Sequence, residues 1–269
     1  MIRALFLFSV LLITLTTSLG RAQIVPAAFW NQSRPTPRLI SNSYWSTWSG
    51  PTYSSTGMSN SGYQINTAGV VNGDLLIVVA SIDNGSNTLW PNPIAPGFTQ
   101  MAQLYFGADG ETYSVSWKVA SSEPSSYTGV YGSGIVSASA TISLIAVSHA
   151  SQTSPINVSL FSNSTTVSAT VTGASTGVTT TVKNCLLLYM SGADWESQGS
   201  AAAVATLPTG FLTMTALGDH GTSIFDWTSQ QVAYKWQQAT GASGAISGKQ
   251  VSSGNTGTAW TGVIAIAPP

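Results

Sequence analysis

Charge is what this chain has least of. Its 269 residues hold 8 Lys and Arg and 9 Asp and Glu, only 6% of the whole. No basic stripe is available to neutralise phosphates, so nucleic acid is excluded as a partner. Cysteine is nearly absent too. Cys185 stands alone, which rules out an intramolecular disulfide, and inside "CLLLYM" it reads as a small buried apolar residue. Two histidines, His149 and His220, leave a histidine metal centre or catalytic triad poorly supplied. There is no GxSxG elbow, no HExxH pair and no phosphate loop. After residue 23 no stretch has a convincing helical period, and no apolar run approaches the roughly twenty residues that a helix needs to cross a bilayer.

What is present is apolar residue, hydroxyl and amide. Ser, Thr, Gly and Asn fill the polar positions, a composition that suits extracellular or virion β proteins. Residues 1 to 22 open with Arg3, continue with the short apolar run "ALFLFSVLLI" and end in "TLTTSLGRA", the pattern of a secretory signal peptide. Cleavage after Ala22 would leave six basic groups against nine acidic ones. The rest is long enough to bury a sizeable core.

One passage is written nearly twice. A shift of 111 positions lays Leu75, Leu76, Ile77 and Asp83 over Leu186, Leu187, Leu188 and Asp194. "PGFTQMAQL" (96 to 104) then matches "TGFLTMTAL" (209 to 217), and "YSVSWKVASS" (113 to 122) matches "VAYKWQQAT" (232 to 240) with Trp117 over Trp236. "TISLIAV" (141 to 147) matches "TGVIAIA" (261 to 267). Four segments in one order point to an internal duplication. Tyr113, Val115, Trp117 and Val119 alternate with Ser114, Ser116 and Lys118, the period of a half-buried strand. "LLIVVA" and "ISLIAV" are apolar at consecutive positions, as in strands covered on both faces. The expected architecture is an all-β, antiparallel β-sandwich with jelly-roll-like or Greek-key connectivity. Its parts are an arm at 23 to 62, a first half at 63 to 147, connecting strands at 148 to 183 and a second half at 184 to 269. The arm has no partner in the second half, and is either irregular or an edge contribution.

"AGVVNGDLLIVVAS", "PGFTQM", "YSVSWKVASSEPSSYT" and "SATISLIAVSHASQTSPIN" together resemble a β-sandwich unit of bacteriophage tail, fibre and other virion-associated proteins and of secreted bacterial surface proteins. The resemblance spans about residues 63 to 268. It implies attachment or assembly at a surface and supplies no catalytic residues. Such units often carry a basic residue and Gly after the "ISLIAV" strand, where this chain has "SHASQTSP".

Candidate chemistry is sparse. The close acidic pairs are Asp109 with Glu111 and Asp194 with Glu196, and Asp109 sits in the hairpin-turn composition "GADGE". A glycosidase needs two carboxyls converging on one bond, which these pairs do not establish. Asp219 beside His220 is a sequence neighbour pair, which rarely makes an acid and base couple. Asp83 and Asp194 hold the same place just beyond matched strands. "DNGSN" offers oxygens at Asp83, Asn84, Ser86 and Asn87, but the twelve-residue calcium loop is absent. Neither a metal nor a cofactor is expected. Trp117, Trp236 and Trp260 read as core. Trp90 and Trp195 fall in loops beyond equivalent strands, and Trp45 and Trp48 in the arm. Loop tryptophans among Asp, Asn and Ser suit sugar stacking or contact with another subunit. The expectation is a non-catalytic extracellular or virion protein that contacts a cell-surface glycan or another structural subunit, with a homo-oligomer within that range. Its contact residues are Trp90, Trp195, Asp83, Asp194, Trp45 and Trp48. The rivals are a secreted carbohydrate-binding or glycan-active protein and a self-assembling structural subunit.

Overall fold

A computed structural model describes residues 35–46, 62–83, 95–106, 111–130, 139–164, 170–195, 203–218, 228–251 and 256–269. Every regular element among them is a β-strand. In chain order these are β1 (Thr36–Ser46), β2 (Gly62–Asn66), β3 (Leu75–Asp83), β4 (Thr99–Phe106), β5 (Glu111–Val119), β6 (Ser126–Val130), β7 (Ser139–Ser148), β8 (Ile156–Ser164) and β9 (Thr170–Ser175). They continue with β10 (Thr179–Thr180), β11 (Cys185–Trp195), β12 (Ala203–Thr206), β13 (Leu212–Gly218), β14 (Thr228–Gln237), β15 (Gly241–Ala242), β16 (Ile246–Val251) and β17 (Thr256–Ile266). The signal-like residues 1 to 22 lie outside the described residues.

Two five-stranded antiparallel sheets dominate. The first runs β1-β7-β3-β5-β4 and the second β8-β17-β11-β14-β13. Each places a strand with a long apolar run, β3 or β11, at its centre, and neither sheet closes on itself. Smaller pairings, β2 with β6 and β12-β16-β9, accompany them. The two orders correspond strand for strand. Even the irregularities correspond, since the β4–β5 ladder slips between Gln100 and Ala102 and the β13–β14 ladder between Thr213 and Thr215. Each slip leaves a methionine, Met101 or Met214, as the extra residue of a bulge packed on the same apolar layer.

Why β3 and β11 lack alternation is clear from the packing. One apolar layer draws Leu75, Ile77, Val79, Val115 and Ile145 from the first sheet and Leu186, Leu188, Met190, Val232 and Ile264 from the second. The other face of β3 gives Leu76, Val78, Ala80 and Ile82 to a separate layer with Ile65 and Tyr127 of the β2–β6 pair. The other face of β11 gives Cys185, Leu187 and Tyr189 to a third layer with Ile246 and Phe211. With both faces buried, the runs Leu75 to Ala80 and Cys185 to Met190 are apolar at successive positions, at about 1.5–3 kcal/mol for each large side chain removed from water.

The stretch expected as an arm contains a strand. Thr36–Ser46 pairs with β7 along its length, so the edge contribution is what this part of the chain makes. Arg38 pairs with the buried carboxylate of Asp74, which also accepts the Val71 amide at 2.8 Å, and this fastens β1 beside the start of β3. Strand β8, from the connecting stretch 148 to 183, holds the corresponding edge of the second sheet through β17.

Candidate functional site

Backbone pairing decides where the singled-out residues lie. Asp83 is the last residue of β3 and stands opposite Glu111 of β5 and Ser139 of β7. Trp45 is in β1, opposite Ala140 of β7, which in turn faces Ile82. Trp45, Asp83 and Glu111 therefore belong to one end of the first sheet. In the second sheet Asp194 pairs with Thr228, and Trp195 ends β11 opposite Thr256. Asp83, Asp194 and Trp195 were expected in loops. They are strand residues, because the ladder runs on past the apolar stretch and pairs these polar positions as well. Trp48, Trp90, Asp109, Glu196, Asp219, His220 and the rest of "DNGSN" lie outside the described residues. His149 is exposed in the turn after β7, at φ 57°.

The two strand ends belong to the same end of the shared layer. Trp260 of β17 is paired with Gly192, two residues before Asp194, and its indole N–H donates to Ser81 Oγ at 3.2 Å, two residues before Asp83. A Cβ on Gly192 would meet Ser81 Oγ at 2.5 Å and Trp260 Nε1 at 2.1 Å. β3 and β11 thus approach each other closely two residues short of the two aspartates, and only a glycine admits the approach. Tyr113 adds a tilted ring contact to Trp260, with centroids 5.5 Å apart.

Polar groups tie the sheets together at the same level. Ser143 Oγ donates to Gln230 Oε1 at 2.6 Å, and Gln230 Nε2 donates to the Thr141 carbonyl at 3.4 Å. Gln230, Ser143, Ser81 and Thr141 are all buried, so these bonds replace water that is no longer there. The inter-sheet layer is therefore graded. It is aliphatic from Leu75 and Leu186 inward, becomes amide and hydroxyl at Gln230 and Ser143, and finishes at the level of Asp83, Glu111 and Asp194. Sequence reasoning passed over Ser81, Ser143 and Gln230, because each reads as an ordinary polar residue. The one available signal was that the hydroxyls of "ASI" (80 to 82) and "TISL" (141 to 144) and the amides of "QQ" (230 to 231) interrupt otherwise apolar strand faces.

A second matched feature was missed as well. Lys118 lies 5.7 Å from the Phe98 ring centroid and Lys235 lies 5.3 Å from that of Phe211. The repeated Gly-Phe and aromatic-Lys dipeptides carried that signal. Lys118 also bonds Glu123 at 3.0 Å and the Tyr127 hydroxyl at 3.2 Å.

No grouping of His, Cys, Asp and Glu able to hold a metal occurs among the described residues. No helix long and apolar enough to cross a membrane occurs among the described residues. No family model, curated protein or solved structure matches the chain.

Proposed function

We propose that this is a non-catalytic extracellular or virion-associated β-sandwich, jelly-roll-like or Greek-key in connectivity and built by internal duplication, that attaches to, decorates or helps build a surface. Support for the duplication is the strand-for-strand agreement of two sheet orders together with their matched methionine bulges. Support for the sandwich is a single apolar layer drawn from both sheets.

One observation carries the functional part. Trp45, Asp83, Asp194 and Trp195, four of the six residues singled out for contact, lie in three strands at one end of the two sheets, Trp45 on the rung of Ala140 and Ile82. Sugar rings are recognised by stacking on an aromatic face and by hydrogen bonds to their hydroxyls, and tryptophan and aspartate at one sheet end supply both residue types. The partner is a cell-surface glycan or the surface of another structural subunit. The test compares the intact chain with the Trp90→Ala, Trp195→Ala double variant on glycan arrays and bacterial cells. Loss of binding with an unchanged circular dichroism spectrum is expected. Unchanged binding to every surface that the parent binds would sink the proposal.

A secreted glycan-active enzyme is the second reading, favoured by the rung that sets Asp83 opposite Glu111. It predicts glycan turnover that disappears in Asp83→Asn and in Glu111→Gln.

A further inference from the structure

Among the described residues the two five-stranded sheets leave four edge strands, β1, β4, β13 and β8, and these four are unequally protected. β1 carries Pro37 and Arg38 and has a bulge between Leu39 and Ser41. It also runs beside β13, so those two edges shield each other, and the Trp236 indole donating to the Pro35 carbonyl at 3.0 Å fastens that side. β4 and β13 are interrupted by the methionine bulges. Bulges, prolines, charges and covering strands are the ordinary means by which an edge is kept from pairing with another chain.

β8 has no bulge, proline or charge from Val158 onward, although β9 and β10 lie against it and Asn157 exchanges two hydrogen bonds with Thr181 near its start. Its one irregularity is at its start, at Asn157, and from Val158 to Ser164 every residue pairs in sequence with β17. "INVSLFSNS" contains no charge and no proline. Ser159, Leu160, Ser162 and Asn163 are exposed, Leu160 at 36%. Its outer side has no strand partner among the described residues.

We infer that β8 is a self-pairing edge, and that its occupant is β8 of a second copy of this chain. An antiparallel pair about a twofold axis at Leu160 sets each Leu160 beside its mate and each Val158 opposite Ser162. It joins the two second sheets into one of ten strands. Charge argues for this occupant. On the twofold axis residue 160 meets its own copy, so a charge there would meet like charge, whereas β8 has an exposed leucine that would be covered by its mate. A charged partner strand would gain no ion pair here. The inference rests on the assembly part of the proposed function, while the tryptophan variant above reads out the binding part, so the two fail separately.

The test is light scattering on the intact chain over a hundredfold range of concentration. A mass rising to twice that of the single chain is expected, with Leu160→Lys and Leu160→Glu each remaining single and an equimolar mixture of the two recovering the doubled mass. Leu212→Lys, at an exposed position of β13, leaves the doubled mass unchanged. Leu160→Cys, treated with oxidised glutathione, should run as a disulfide-linked pair on a non-reducing gel, and Leu212→Cys should not. A parent that stays single throughout overturns the inference. So does a doubled mass that survives Leu160→Lys, or a cysteine at 160 that does not cross-link in a folded, associated protein.

Discussion

The two five-stranded sheets have one order of strands and different contents where they meet. At matched rungs the first sheet has Ser81, Thr141 and Tyr113 where the second has Gly192, Trp260 and Gln230. One step nearer the aliphatic end, Ser143 corresponds to Gly262. Large residues on one sheet enter space left by small ones on the other, as Trp260 does over Ser81. Identical sheets would put bulk against bulk at one rung and leave a void at another, and either costs stability. The edges diverge in the same sense. Arg38 and Asp74 form an ion pair in the first sheet, and the corresponding positions in the second are Val158 and Cys185, packed on its outer layer. Like topology with complementary side chains makes each sheet the specific partner of the other.

That comparison is broken most severely at Trp260. Trp260→Ala removes the side chain that fills the small-residue rung and should lower stability by about 3–5 kcal/mol, read by urea unfolding. A loss below about 1 kcal/mol would mean that the rung is not packed as described. Next is Gly192→Ala. Its Cβ has no room beside Trp260 and Ser81, so a loss of about 1–3 kcal/mol is expected, whereas Ser81→Gly at the matched position creates no clash. If Gly192→Ala were harmless, the close approach of β3 and β11 would be wrong.

The paired Phe and Lys contacts sharpen the comparison at a smaller scale. Lys118 has a ring contact, Glu123 and the Tyr127 hydroxyl, whereas Lys235 has the ring contact with Phe211. Lys118→Met should therefore cost about 1–2 kcal/mol and Lys235→Met about 0.5–1 kcal/mol. Salt should reduce the first more than the second. Equal costs in low and high salt would remove the distinction.

How much of this was legible in the sequence depends on the period of the strand. The apolar runs Leu75 to Ala80 and Leu186 to Met190 announced two central strands, because burial on both faces leaves no alternation to misread. Alternating strands are harder. The sequence match set Trp117 over Trp236, but with Leu75 and Leu186 as the common rung, Val119 falls opposite the first and Trp236 opposite the second. Trp117 therefore corresponds to Tyr234, and Lys118 to Lys235. A two-residue slip keeps every side chain on its own face, so the pattern alone does not oppose it. The match of "TISLIAV" to "TGVIAIA" is one residue out for the related reason that both runs end in consecutive apolar residues, 144 to 147 and 263 to 267. Val147 corresponds to Ile266. The convergence of Trp45, Asp83 and Asp194 on one end was not legible at all, since it depends on which sheet ends meet. That is fixed by Gly192, Ser81 and Trp260, three residues far apart in the chain.

The smallest expected effect separates the outer layers. Tyr189 and Cys185 are buried on the outer face of the second sheet, and at the matched places the first has Val78 and Asp74. Burial raises the Tyr189 phenol above its ordinary value, against the opposing bonds to Ser191 and to the Gly248 backbone, and burial likewise raises the Cys185 thiol. Both groups are neutral when protonated, so folding holds their protons more tightly than the unfolded chain does. Their contribution is fully present below the unfolded values, about 8.5 for a thiol and about 10 for a phenol, and is lost as pH rises from there through the folded values. Stability measured between pH 8 and 11 should therefore fall, first through Cys185 and then more steeply through Tyr189. Tyr189→Phe should flatten the steeper part, at the cost of the two hydrogen bonds at neutral pH, whereas Tyr113→Phe, in the shared inner layer, serves as the comparison for tyrosine loss in general. If Tyr189→Phe left the alkaline slope unchanged, the outer layer of the second sheet would be open to water. Its difference from the outer layer of the first would then lie in composition and not in burial.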